Sequence, residues 1–373
     1  MSRPDKFREI ERSVERVLDG GRITIAQARR WLKDRDPEAD RILREAARRI
    51  TDRLHGRRIQ LFAPLYFSNL CANNCLYCGF RRGNPNASRR VLTAEEIEKE
   101  TVALLEMGHR RILLVASEDP TEKGRRLILT AARAVRETRA NGDAVVHMGF
   151  EVAPGDVEQF REMAEAGVDS YTLFQETYDR RTYGVVHPEG PKRDYDWRIE
   201  APDRALAGGI PAVGLGVLLG LGEPVRDTLA LIEHARRIED RWGRPPRTVS
   251  LPRIEPADGS ALSRNPYHAV SDDMLLRLIA VMRIALPGTG IVLSSREPER
   301  IRDRALEYGI TEMSAGSRTD PGGYTAHTDC SLAQFEIQDS RPLAQIVDLL
   351  RRNGYEPHTG GEPRPEVLSP AWS

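Results

Sequence analysis

Cys71, Cys75 and Cys78 stand in the spacing C-x3-C-x2-C within the stretch Tyr66 to Phe80, YFSNLCANNCLYCGF. Three thiolates this close on a loop suit a soft metal centre, and iron–sulfur clusters take cysteine ligands in short runs of this kind. No fourth cysteine or histidine completes the run; the next histidine is His109. Three protein ligands leave one coordination position open, the arrangement of a metal site that binds a small molecule rather than one that only staples a fold. The alternatives are a zinc knuckle, which would bring a fourth Cys or His at short spacing, or three reduced structural thiols.

Such a loop needs a scaffold, and the chain is long enough to supply one. Its 373 residues, 40% hydrophobic and 30% charged, can bury the core of one large α/β barrel or of two ordinary domains. Basic and acidic residues balance at 56 each, which argues against nucleic acid or an anionic membrane as partner. Four cysteines, three of them clustered, make no disulfide framework, and no apolar run reaches the ~18 residues of a membrane span. The N-terminus lacks the apolar core of a signal peptide, so a reducing cytoplasm is the expected compartment.

Residues 1–57 read as a helical extension. Phe7, Ile10, Val14 and Val17 recur at helical steps, Thr24 caps a second helix through Leu32, and a third runs from about Pro37 to His55. From Ile59 onward short apolar strands alternate with amphipathic helices. The predicted strands are 59–66, 111–116, 145–151, 169–174, 212–219, 247–251, 290–294 and 309–313. Helices are predicted near 94–107, 123–140, 157–166, 199–208, 225–240, 272–286 and 298–307. Thr93 and Glu96 form a capping box, and Gly108, Gly142 and Gly167 stand where helices stop. Eight strands with intervening helices imply parallel pairing and a (β/α)8 barrel over 58–314, with the helical extension as a collar. A C-terminal region follows over 315–355, with a strand at Gln334–Ile337 and a helix at 342–353. A loosely held tail is expected from Glu356 to the end at 373.

A barrel of this kind gathers its site at the C-terminal ends of the strands. The cysteine loop follows strand one, as it should. Polar residues stand at the other strand ends: Ser117, Glu118 and Asp119, then Glu151, then Gln175, Glu176 and Tyr178. Arg253 and Glu255, Ser295 and Arg296, and finally Ser314, Gly316 and Ser317 complete the set.

The cysteine run resembles the signature of the radical S-adenosylmethionine (SAM) superfamily. That resemblance implies a [4Fe-4S] cluster on Cys71, Cys75 and Cys78, SAM as second cofactor, and an external one-electron reductant of flavodoxin or ferredoxin type. From about Leu61 to Tyr355 the chain is similar to a narrower family. This is the aromatic amino acid lyases, which carry a biotin-and-thiamin-synthesis-associated C-terminal region and include the tyrosine lyases of thiamine biosynthesis and of [FeFe]-hydrogenase maturation. The stretches that carry the likeness are LYFSNLCANNCLYCGFRR, FQETYDRRTYGVVHPEGPKRDYDWR, SLPRIEP, LSSREP and MSAGSRTDPGGY. HPEGPKRDYD is closer to the tyrosine lyases than to the related tryptophan lyase.

The resemblance places Tyr77 beside the adenine and Ser117 and Glu118 at the SAM amino group. It places Glu176 and Arg204 at the ribose and carboxylate of SAM. Arg296 would hold the substrate carboxylate, with Tyr66 and Ser314 around the amino-acid head group; a guanidinium fork matches a carboxylate bidentately. The implied reaction cleaves the Cα–Cβ bond of tyrosine to 2-iminoacetate (dehydroglycine) and p-cresol. Tryptophan or a non-proteinogenic amino acid is the alternative substrate, and a metal-binding scaffold without catalysis is a reading against which the intact loop argues. A pathway partner protein is also implied. Relatives often read P-R-x-R-P after strand six, where this chain has Pro252-Arg253-Ile254-Glu255-Pro256. The remaining cysteine, Cys330, reads as an inert thiol that cannot hold a second cluster by itself.

Overall fold

The structure, a computed structural model, describes residues 3–34, 36–325 and 332–360. Cys330 and the tail beyond 360 lie outside the described residues. Eight parallel strands form the centre: β1 (Arg58–Ser68), β2 (Arg111–Ala116), β3 (His147–Glu151), β4 (Ser170–Glu176), β5 (Val213–Val217), β6 (Thr248–Ser250), β7 (Gly290–Leu293) and β8 (Glu312–Ser314). Each pairs with the next, and the sheet closes where Gln60, Leu61 and Phe62 of β1 register with Glu312, Met313 and Ser314 of β8. This is the predicted (β/α)8 barrel.

Between the strands run Ala94–Glu106, Glu122–Glu137, Val157–Glu165, Ala201–Ala207, Pro224–Trp242, Asp272–Ala285 and Glu299–Ala305. Their starts are written in the sequence: Thr93 accepts from the Glu96 N–H while Glu96 reaches back, and Asp156 does the same with Gln159. The helix expected to reach 140 stops at Glu137. Asn141 and Gly142, both at positive φ, turn a two-residue hairpin there, pairing Arg139–Ala140 with Asp143–Ala144.

The N-terminal helices Arg3–Leu18, Ile25–Lys33 and Pro37–Leu54 pack through Ile10, Val14, Trp31, Leu43 and Ile50. They lean on the outer helices Pro224–Trp242 and Asp272–Ala285 and so cover one side of the barrel. Several of their charges fix this docking: Asp40 accepts two bonds from Arg277 at 2.6 and 2.7 Å, and Arg22 meets Asp240 at 2.8 Å.

After β8 the chain departs from expectation twice. Residues 334–337 form no strand; they run as an irregular segment in which the Gln334 N–H bonds the Thr319 carbonyl and the Glu336 N–H bonds the Pro256 carbonyl. The helix Leu343–Arg352 forms as predicted. The segment from Glu356, expected to be loosely held, opens instead with a strand, β9 (Glu356–His358), parallel to Arg58–Gln60 of β1. Arg110 donates its N–H to the Thr359 carbonyl, tying this segment to the approach to β2 as well.

Candidate active site

The cysteine loop leaves the end of β1 and is held by the ends of other strands. The Ala72 N–H donates to the Glu118 carbonyl beyond β2, Asn74 to Glu189, and Leu76 to Val186 beyond β4. Arg81 donates twice to the Gly259 carbonyl, at 2.8 and 3.0 Å, and Ser260 Oγ bonds the Leu76 carbonyl at 2.7 Å. Gly190, in the HPEGPK stretch, has φ +96; a Cβ there would lie 2.7 Å from Asn73 Cα and 2.8 Å from the Ala72 carbonyl. Only glycine permits both that backbone and that approach. The HPEGPK turn is therefore packed onto the loop, and its Lys192 N–H caps Asn73 Oδ1 at 2.8 Å.

Cys75 is buried beside Tyr77, Val186, Leu218 and Leu221, while Cys71 and Cys78 are half-buried near Tyr66 and Phe80. Burial pushes the Cys75 and Cys78 thiols up, against the nearby Lys192 charge, so without metal they stay protonated. Coordination would deprotonate them, the charge of the iron offsetting that of the thiolates. Among the described residues no three His, Cys, Asp or Glu side chains form a group that would hold a single ion. Three cysteine thiols on one loop, all facing the same cavity, are a donor set of the kind an iron–sulfur cluster takes. The loop fits an iron–sulfur cluster.

All three cysteines open on one cavity inside the barrel mouth, about 230 Å³ in volume and partly continuous with solvent. Tyr66, Tyr77 and Ser117 line it, as do Glu118, Glu176, Arg296 and Ser314. Arg204 does not. It stacks over the Trp197 ring at 3.6 Å and donates to the Gly155 and Trp197 carbonyls. Arg198, six residues earlier, reaches the cavity in its stead and donates through Nε to the Phe174 carbonyl at 2.8 Å.

Most of the cavity charges are paired. Glu118 accepts from Asn73 Nδ2 at 2.8 Å and lies 3.8 Å from Arg198. Lys192 Nζ meets Glu176 Oε1 at 2.6 Å, with both side chains about nine-tenths buried. Glu176 itself sits at φ +69, just after a break in the β4–β5 register, so its side chain is aimed at the cavity by a backbone that most residues avoid. Burial would raise its carboxyl, but Lys192 and Arg198 more than offset this and hold it below the ordinary value. Ser117 Oγ and Ser317 Oγ are buried at this wall without a hydrogen-bond partner, as hydroxyls awaiting a ligand would be. Tyr77 Oη pairs with His187 Nε2 at 2.8 Å.

The irregular segment after β8 closes over the cavity beside the cysteine loop. Tyr66 Oη donates to Gln334 Oε1 at 2.8 Å, the Gly79 N–H donates to the Gln334 carbonyl at 3.1 Å, and the Arg296 guanidinium lies 3.4 Å over the Phe335 ring. Ser314 Oγ accepts from the Ser295 N–H at 3.0 Å. Behind it, fully buried Arg302 pairs with Asp339 and bonds the Ser314 carbonyl. Arg253 and Glu255 do not line the cavity: Arg253 pairs with Glu297 and with Asp272, and Glu255 accepts from Gln338 at 2.9 Å. Burial, then the Glu297 charge, push the Glu255 carboxyl up to about 7. Sequence reasoning did not single out Lys192, Arg198, Gln334 or Phe335; Lys192 lay in the quoted HPEGPK stretch, and Arg198 close behind it.

A closed parallel barrel with a three-cysteine loop at the C-terminal ends of its strands, facing a cavity inside the barrel mouth, is the build of a radical SAM barrel enzyme. Residues 65–235 match the radical SAM superfamily and residues 250–356 the biotin and thiamin synthesis associated domain. The chain is 32% identical over 345 residues to the 2-iminoacetate synthase of Escherichia coli (strain K12), covering 92% of this chain and 89% of that protein. Among solved structures it resembles HydG, a maturase of the [FeFe]-hydrogenase, with a TM-score of 0.90 at 37% identity over 95% of this chain and 77% of that one. HydG from Carboxydothermus hydrogenoformans gives 0.86 at 39% identity over 94% and 80%. The chain belongs to the radical SAM lyase family that includes 2-iminoacetate synthase. Among the described residues no helix is long and apolar enough to cross a membrane.

Proposed function

We propose that this protein is a radical SAM tyrosine lyase, cleaving the Cα–Cβ bond of tyrosine to 2-iminoacetate and p-cresol. One observation carries the reading: the three cysteines, the Ser117–Glu118 pair and the group Arg296, Tyr66 and Ser314 line one and the same cavity. When bound, the cluster and SAM supply the electron and the 5'-deoxyadenosyl radical that removes hydrogen from the substrate amino group. The chain's own residues bind and orient. Ser117, Glu118 and Glu176 hold SAM with Tyr77 beside its adenine, and Arg198 takes the role first expected of Arg204. Arg296 pairs with the substrate carboxylate, and Phe335 under its guanidinium excludes water, which strengthens that pairing. Tyr66, kept neutral by burial, offers its hydroxyl at the head group. A flavodoxin- or ferredoxin-type reductant in a reducing cytoplasm completes the requirements. The test is an anaerobic assay of cluster-reconstituted protein against all twenty amino acids. Deoxyadenosine with p-cresol from tyrosine is expected; deoxyadenosine with an indole product from tryptophan alone would replace the substrate, and no deoxyadenosine at all would leave a scaffold.

A further inference from the structure

Of the carboxylates on the cavity wall, Glu118 is met by Asn73 and Arg198, Glu176 by Lys192 and Glu312 by Arg247. Glu151 has no such partner. It closes β3 in register with Val115 of β2, faces the cavity, and accepts no hydrogen bond or ion pair from any described residue. Glu176 repels its charge, and Arg296, Lys192 and Arg198 attract it. Tyr66, Glu151 and Arg296 all line this cavity and act electrostatically on one another. Burial, followed by the Glu176 charge, pushes the Glu151 carboxyl up to about 7. A half-buried carboxylate facing a cavity without a partner offers a place for a cation from elsewhere.

An amino acid brings one. Its ammonium is bonded to the carbon that carries the carboxylate, so whatever pairs with it must stand beside the group that holds the carboxylate. With Arg296 on the carboxylate, Glu118 turned to Asn73, Glu176 to Lys192 and Glu312 to Arg247, Glu151 is the acidic side chain left on the cavity wall without a partner among the described residues. We propose that Glu151 is a substrate-binding residue that receives the ammonium group of the amino-acid substrate, completing a two-point clamp with Arg296. This rests on the amino-acid reading of the cavity but not on tyrosine in particular. The phenolic oxygen of tyrosine, at the far end of the molecule, is a less fitting partner for a carboxylate that shares the cavity and the electrostatic reach of Arg296.

The test compares binding to the SAM-loaded, cluster-reconstituted protein of tyrosine, of 3-(4-hydroxyphenyl)propanoate, which lacks the amine, and of phenylalanine, which lacks the phenol. The wild-type protein should favour tyrosine over the desamino acid by about 30-fold or more, as for a desolvated charge pair. Glu151→Gln should abolish that preference while leaving iron content and the affinity for the desamino acid within about threefold. A preference that survives Glu151→Gln overturns the proposal. So does an equal loss for both ligands, which would make Glu151 structural, or a loss of discrimination between tyrosine and phenylalanine alone, which would move it to the phenol. If Glu151→Gln does not fold, the wild-type comparison decides, since equal affinity for tyrosine and its desamino analogue rejects an ammonium site. Absence of any tyrosine binding by the wild-type protein would refute the tyrosine reading instead. The same amine and desamino pair would then be run for the amino acid that supports deoxyadenosine formation.

Discussion

Replacing Lys192 with Met should cost about 3 kcal/mol of folding stability at pH 7, and the cost should shrink as the pH falls. The 2.6 Å pair between Lys192 and Glu176 is about nine-tenths buried on both sides, and removing one partner of a buried pair typically costs 3–5 kcal/mol. Arg198 still attracts the abandoned carboxylate, which favours the low end. A ceiling comes from proton uptake. A carboxyl with an ordinary value of 4.5 can escape its predicament at pH 7 by binding a proton, and 2.5 pH units at about 1.36 kcal/mol each gives about 3.4 kcal/mol. At pH 5.5 the same escape costs about 1.4 kcal/mol, so the deficit of the variant should fall to about that. The signs are opposite in the two proteins. In the wild type Glu176 is held below 4.5, so its contribution is present above that value and lost as the pH drops through the lowered one. In Lys192→Met the carboxyl is raised, so its penalty appears above 4.5 and grows as the pH rises to the new value. Anaerobic urea unfolding at pH 5.5 and 7, with Lys192→Met/Glu176→Gln as third protein, measures all of this. The double variant should recover most of the loss. A deficit below 1 kcal/mol that does not change with pH, or a double variant no more stable than Lys192→Met, would refute the assignment of this pair as a buried, mutually dependent one.

Cys75→Ala should lose the cluster absorption and deoxyadenosine formation together, and wild-type iron content in that variant would sink the cluster assignment. Arg296→Ala should leave SAM binding nearly intact while costing about 2–5 kcal/mol in substrate affinity; loss of SAM binding with unchanged substrate affinity would assign this arginine to the other ligand. With four cysteines in the chain, three of them in one loop, the purified protein should hold about four irons, those of one cluster. Its amino-acid cleavage should stop at the imino acid or its hydrolysis product glyoxylate. Carbon monoxide or cyanide released from tyrosine, or a second cluster signal surviving loss of Cys71, Cys75 and Cys78, would contradict that.

The barrel was legible because buried parallel strands are short apolar runs and their helices carry caps such as Thr93 and Asp156. The places where reading failed share a cause: neighbours distant in sequence decide them. Gln334–Ile337 alternates like a strand, yet β1 and β8 have already closed the sheet beside it, so it lies across the cavity instead. Glu356–His358 has no strand pattern and contains Pro357, which is tolerated because this short strand only borders the sheet. Arg198 and Arg204 straddle a break between the helices Tyr195–Ile199 and Ala201–Ala207. Helical periodicity cannot say across such a break which of the two turns inward. Glu151 was visible as a strand-end carboxylate, but its lack of a partner is a property of the assembled cavity.

The segment that covers the cavity is made long after the thiols it shelters. Gln334, which bonds both Tyr66 and the backbone of Gly79, follows Cys78 by roughly 250 residues, some 13–50 s of synthesis at about 5–20 residues per second. β1 waits equally for β8 before its edge is paired. On the ribosome the cysteine loop therefore passes through a long interval with its lid unmade and its barrel open. That interval gives iron and sulfide their widest access to the three thiols, and gives oxygen the same access.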